Sequence, residues 1–102
     1  MKLTATAYCH AGTTAAGTRT HTGIVAADPQ VLPVGSVLRI VTPSRLAGIY
    51  TVMDTGSAVK GRVLDIFMPS CEHAVEFGRR SVRVQVLRRG WDPKTGDDTE
   101  RP

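Results

Sequence analysis

A carboxylate set inside an apolar strand is the residue with chemistry in it. Val63-Leu64-Asp65-Ile66-Phe67 reads as a strand. Strict alternation puts Leu64 and Ile66 on one face and Val63, Asp65 and Phe67 on the other. Asp65 thus shares its face with two apolar side chains. A carboxyl group there loses hydration, which raises its pKa. Such a group suits proton donation and recovery in catalysis. A second aspartate, Asp54, follows the strand-like run Ile49-Tyr50-Thr51-Val52-Met53 and opens the turn Asp54-Thr55-Gly56-Ser57. If the two carboxylates lie close in space, Asp54 raises the pKa of Asp65 further and the pair titrates as a unit. Lys60, beside Gly61 at the next break, is placed to touch substrate or Asp54, whereas a cation against Asp65 would lower its pKa.

The elements that must hold these groups are short. Residues 3–8, 23–27, 36–42, 49–53, 63–67 and 81–87 read as strands. One short helix is expected over 71–77, opened by Ser70 as N-cap and closed by Gly78. Residues 9–21 and 43–48 read as loops. Asp28-Pro29 stops the second strand, because proline has no N–H and disfavours helix at the residue before it. No long 3.6-residue periodicity occurs. The pattern predicts an all-β fold, a small six-stranded barrel, closed or nearly so, with one short helix. Closure would remove the exposed edges that six short strands otherwise leave.

A chain of 102 residues makes one domain with one modest core. The barrel is expected over 1–89, and the polar, charged stretch 90–102 as a flexible tail. The net charge is +4, and Arg79, Arg80, Arg83, Arg88 and Arg89 gather near the end of the barrel. They read as a solvated face or as an attraction to an anionic polymer. One Trp, two Tyr and two Phe, with no nucleic-acid motif, argue against DNA or RNA. No run is long enough to span a membrane, and no apolar leader segment follows Met1-Lys2. Cys9 and Cys71 have no CxxC spacing, and His10, His21 and His73 are scattered, so neither a metal nor a cofactor is expected.

Asp54-Thr55-Gly56 also matches the aspartic-protease signature. A homodimeric protease of this length would carry that motif early, with a flap region after it; here it lies past mid-chain, ahead of the helix. The combination of motifs is more specific. Thr4-Ala5-Thr6-Ala7-Tyr8, then Gly17-Thr18, then Val25-Ala26-Ala27-Asp28-Pro29 with Leu32-Pro33-Val34-Gly35, then Asp54-Thr55-Gly56 with Lys60-Gly61 and Asp65, then Phe77-Gly78-Arg79-Arg80, resembles the 3D domain. That family takes its name from three aspartates, matched here by Asp28, Asp54 and Asp65. It is similar to the catalytic barrel of the membrane-bound lytic murein transglycosylase A type, a six-stranded double-psi β-barrel. Two positions depart from the family pattern: Ser57 stands where a second glycine is usual, and Val63 where an arginine is usual, with Arg62 displaced by one.

The resemblance implies an enzyme that cleaves the MurNAc-GlcNAc bond of peptidoglycan glycan strands and leaves a 1,6-anhydro-muramyl end. Asp65 would be the acid/base, with Asp54 beside it. Asp28, Thr18, Thr55, Gly56, Lys60 and Tyr8 would contact substrate. A hydrolytic glycosidase needs two carboxylates, whereas a lytic transglycosylase uses the substrate's own C6 hydroxyl, so one carboxyl suffices. The alternative is a non-catalytic glycan-binding or wall-loosening module, like the expansins that resemble this barrel. A family that acts on the wall implies a periplasmic or extracellular place, a leader already removed, and a monomer. With an even cysteine count it also implies a Cys9–Cys71 disulfide; two free buried thiols are the other possibility.

Overall fold

The computed structural model describes residues 1–92 and 97–98. Six strands close into a barrel: β1 (Lys2–Tyr8), β2 (Ile24–Ala27), β3 (Val37–Thr42), β4 (Gly48–Asp54), β5 (Val63–Phe67) and β6 (Arg80–Arg88). Their order around the barrel is β1-β5-β2-β4-β3-β6, with β6 returning to β1. β1 runs parallel to β5, and β2 parallel to β4; the other neighbours are antiparallel. The one helix, α1 (Cys71–Phe77), follows β5 and starts where Ser70 Oγ accepts the His73 N–H at 3.2 Å.

The apolar half of each alternation fills the barrel. Leu3, Ala5, Val25, Ala27, Leu38, Ile40, Val52, Leu64, Ile66, Val82 and Val84 are all buried in one cluster. Each fully buried Leu or Ile contributes about 1.5–3 kcal/mol. That fill sets the register of β5, because a slip by one residue would turn Leu64 out and drive Asp65 into the core. The packing of the interior therefore aims the carboxylate outward.

β1, β4 and β6 run slightly longer than alternation alone indicates, while β2 and β3 each start one residue later. β4 begins at Gly48, paired with Ile40, and β6 spans Arg80–Arg88, paired with Ala5 at one end and Val37 at the other. Ladder pairing extends a strand past the point where its side chains stop alternating. The stretch 43–48, expected as loop, holds a 3₁₀ turn at Ser44–Leu46. Cys9 and Cys71 form a disulfide, which pins the root of the 9–23 loop to the start of α1.

Beyond β6 the chain passes through Gly90, whose N–H donates to Ser36 Oγ at 2.9 Å in the interior. A Cβ on residue 90 would collide with the Val34 carbonyl and the Ser36 amide, so only glycine passes there. Trp91–Asp92 and Asp97–Asp98 then pair as two short antiparallel strands, β7 and β8. The rest of the stretch expected as a tail, 93–96 and 99–102, lies outside the described residues.

Candidate functional site

The site lies on the outer wall formed by β5, β2 and β4. In the register, Ala26 of β2 stands opposite Asp65 of β5 on one side and opposite Asp54 of β4 on the other. A bulge between Val25 and Ala26 brings Asp54 into that row. Adjacent strands are about 4.8 Å apart, so the two aspartate Cα atoms are separated by roughly 10 Å with a small side chain between them. Ala26 thus makes the floor of a cleft and the carboxylates its flanks. Tyr8, His10, Gly12, Thr13, Thr20, Thr55, Gly56 and Val59 complete the lining. The cleft holds about 190 Å³, below the roughly 300–1,000 Å³ of pockets that enclose a whole drug-sized ligand. A long ligand would cross it rather than enter it.

Asp65 is half-buried, and burial raises its pKa above the usual carboxylate value. The Thr6 hydroxyl, in register on β1, donates to Asp65 Oδ1 at 2.8 Å and opposes that rise. The Asp54 charge expected to add to it is not among the causes. The intervening strand keeps the two carboxylates apart. Of the two apolar neighbours expected on this face, Phe67 is buried, edge-on to Tyr8 with ring centroids 5.4 Å apart.

Asp54 does a different job. Its Oδ1 accepts the N–H of Thr55 at 2.9 Å and that of Ala15 at 3.0 Å. The first shapes the turn and the second ties the 9–23 loop to the end of β4. Ala16 N–H adds a bond to the Met53 carbonyl at 2.9 Å. Within the loop Thr14 and Thr18 bond through their hydroxyls at 3.0 Å, which makes Thr18 part of the loop's own scaffold rather than of the cleft lining.

Asp28 is also outside the cleft lining. Its two oxygens accept Gln30 N–H at 3.0 Å and Gly61 N–H at 2.7 Å, and those bonds lower its pKa. Gly61 takes a positive φ of 69° to present that N–H, a conformation glycine adopts without strain. Asp28 therefore latches the connection that leads into β5. Lys60 contributes to the lowered pKa of Asp28 and is absent from the causes acting on Asp65, so the lowering that a cation against Asp65 would bring is not seen.

The Tyr8 hydroxyl is buried with no hydrogen-bond partner among the described residues. Burial first, then the charges of Asp54 and Asp65, push its pKa up to about 12, so it stays a neutral donor at any working pH. Among the described residues no cluster of three His, Cys, Asp or Glu side chains is placed to hold a metal ion, and no helix is long and apolar enough to cross a membrane. Sequence reading missed Thr6 and Ala26, the two residues paired with Asp65. Alternation puts Thr6 on the face of Tyr8, but the partner strand was not readable.

A 3D-domain family profile matches residues 23–88. The chain belongs to the 3D domain family. It is 35% identical over 96 residues to the cell wall-binding protein YocH of Bacillus subtilis, covering 85% of this chain and 32% of that protein. It is 34% identical over 64 residues to the putative cell wall shaping protein YabE of the same organism, covering 63% of this chain and 15% of that one. The chain thus spans about a third or less of these relatives. Among solved structures, MltA of E. coli with bound chitohexaose superposes with a TM-score of 0.64 at 21% identity, over 76% of this chain and 28% of that one. Another MltA crystal structure from E. coli gives 0.62 at 22% identity, over the same shares. This 3D domain therefore has the fold of the MltA barrel.

Proposed function

We propose that this 3D domain cleaves peptidoglycan glycan strands as a lytic transglycosylase, with Asp65 as the single acid/base. The observation that carries the reading is the setting of Asp65: half-buried, raised in pKa by desolvation, and open to a cleft that a polymer can cross. In the first step the protonated carboxyl gives its proton to the glycosidic oxygen as the C1–O bond breaks. In the second the carboxylate takes the proton of the C6 hydroxyl as that oxygen attacks C1 and closes the anhydro ring. Atoms balance without water. An inverting hydrolase needs a second carboxylate to activate water. Asp54 has its Oδ1 engaged by two backbone N–H groups and is given over to holding the loop. Tyr8, Thr55 and Gly56 line the path of the sugar; Thr18, Asp28 and Lys60 shape the loops around it. The parallel pairs β1/β5 and β2/β4 support the double-psi form of the barrel. A monomer acting outside the cytoplasm fits a disulfide and relatives named for the cell wall.

Digestion of purified murein, read by mass spectrometry, tests the chemistry. Anhydro-muramyl ends are expected. Reducing ends would replace the transglycosylase by a hydrolase. A second reading, a binding module without catalysis, draws on the likeness to YocH, a cell wall-binding protein. Retention on insoluble murein by the parent and by Asp65→Asn, with no cleavage by either, would favour it.

A further inference from the structure

Charge is divided around the barrel. The contiguous strands β5, β2 and β4 carry Asp65 and Asp54 and no lysine or arginine. The other contiguous three, β3, β6 and β1, carry Arg39, Arg80, Arg83, Arg88 and Lys2 and no carboxylate. These cations come from three stretches far apart in the chain, and only barrel closure brings them together. Lys2 stands directly opposite Arg83. Arg39 stands opposite Gln85, the next outward position along β6, and reaches it at 3.4 Å. Lys2, Arg39, Arg83 and Gln85 are exposed. Like charges directly opposite on a sheet are destabilising. Edge protection does not account for them, since a closed barrel has no edge to protect.

We propose that this outer face of β3, β6 and β1 is a second binding surface, for a phosphodiester-linked anionic polymer of the cell wall. Its cations lie away from the glycan cleft, which β1 borders at its other end through Thr6 and Tyr8. The guanidinium fork pairs two donors with two oxygens of a phosphate, as it also can with a carboxylate, and removal of the phosphodiester polymer separates the two. The proposal rests on the wall reading above and extends it: this face holds the domain on an anionic polymer while the cleft meets the glycan. The exposed Val41 and Leu87 of the same strands give the face some apolar contact area.

The test compares the parent with Arg39→Gln/Arg83→Gln, which leaves the cleft untouched. Each is sedimented with murein carrying its phosphodiester polymer and with the same murein stripped by hydrofluoric acid. Retention of the parent on intact wall is expected to fall on stripping and with added salt. The double variant should bind intact wall roughly thirtyfold more weakly than the parent, as expected when two cations leave a polyanion contact, and equal the parent on stripped murein. Equal retention of parent and variant on intact wall would overturn the proposal. Loss by the variant on both walls would also overturn it, since the ligand would then be the carboxylates of the peptide stems. Soluble polyphosphate, titrated against both proteins, separates this outcome from failure of the wall reading, because it needs no glycan: weaker binding by the variant upholds the face, and equal binding sinks it. Tighter binding of a duplex DNA oligonucleotide than of polyphosphate would reassign the face to nucleic acid.

Discussion

The cleft has two sides built in opposite ways. Its wall is the barrel: Asp65 stands on β5 between Thr6 and Ala26, in a register fixed by Leu64 and Ile66 inside. Its rim is the 9–23 loop, held by a handful of bonds: Ala15 and Ala16 to the end of β4, Thr14 to Thr18, and the Cys9–Cys71 bridge at its root. The same residue type serves both. In the wall a carboxylate is left with a raised pKa and an open approach; at the rim one is consumed in holding backbone. The two aspartates differ in how many donors reach them: one hydroxyl at Asp65, two backbone N–H groups at Asp54.

Substitution at each side sharpens or breaks that contrast. The largest effect is expected at the wall. Asp65→Asn should lower murein cleavage by roughly 10²–10⁴-fold, the usual contribution of a general acid, because an amide cannot give and regain the proton. The fold should survive. Because the folded-state pKa of Asp65 is raised, the parent loses stability as pH rises from the ordinary carboxylate value to that raised one, and the loss persists above it. Asp65→Asn should therefore melt at or above the parent at neutral pH, with the gain vanishing in acid. A melting point far below the parent would make Asp65 a structural group.

Next comes the root of the rim. Replacing Cys9 and Cys71 by serine opens a loop with a sequence separation of 62, and loop entropy sets the cost at about 4 kcal/mol. Denaturant titration of oxidised, reduced and double-serine protein reads it; unchanged stability would show that the bridge does not hold the loop. Asp54→Ala should cost about 1–3 kcal/mol by leaving the Ala15 and Thr55 amides unpaired, and reduce cleavage with it. An Asp54→Ala protein that melts like the parent yet cleaves nothing would move Asp54 from rim to chemistry. The smallest effect is expected at Thr6→Val. Its hydroxyl lowers the pKa of Asp65, so its loss should raise that pKa and carry the falling limb of the pH–rate profile to higher pH. A profile that stays in place, or moves toward acid, would remove Thr6 from the control of Asp65.

What could be read from sequence was local. Alternation placed Leu64 and Ile66 inside and Asp65 with Phe67 outside, and Ser70 and Gly78 bounded α1 as expected. What could not be read was pairing across the chain. Thr6 and Asp65 are 59 residues apart and meet because β1 lies parallel to β5. Nothing in either strand's own pattern selects that partner. The same gap hid one influence of Lys60: a turn position gives a residue its neighbours along the chain, whereas Asp28, on whose carboxyl Lys60 also acts, is brought in after β2. Arg79 to Arg89 were visible as a cluster, but Lys2 and Arg39 joined them only once the barrel closed.

Gly90 gives the domain a mechanical property. Its N–H is bonded to the Ser36 side chain, the Ser36 carbonyl accepts Val52 N–H at 2.8 Å, and Asp54 lies two residues further along β4. Besides its covalent link to β6, Gly90 is thus joined by two hydrogen bonds through Ser36 to β4, the strand that tethers the rim. A displacement of Gly90 is therefore felt at the Asp54 side of the cleft as well as in β6, to which Gly90 is joined through Arg89.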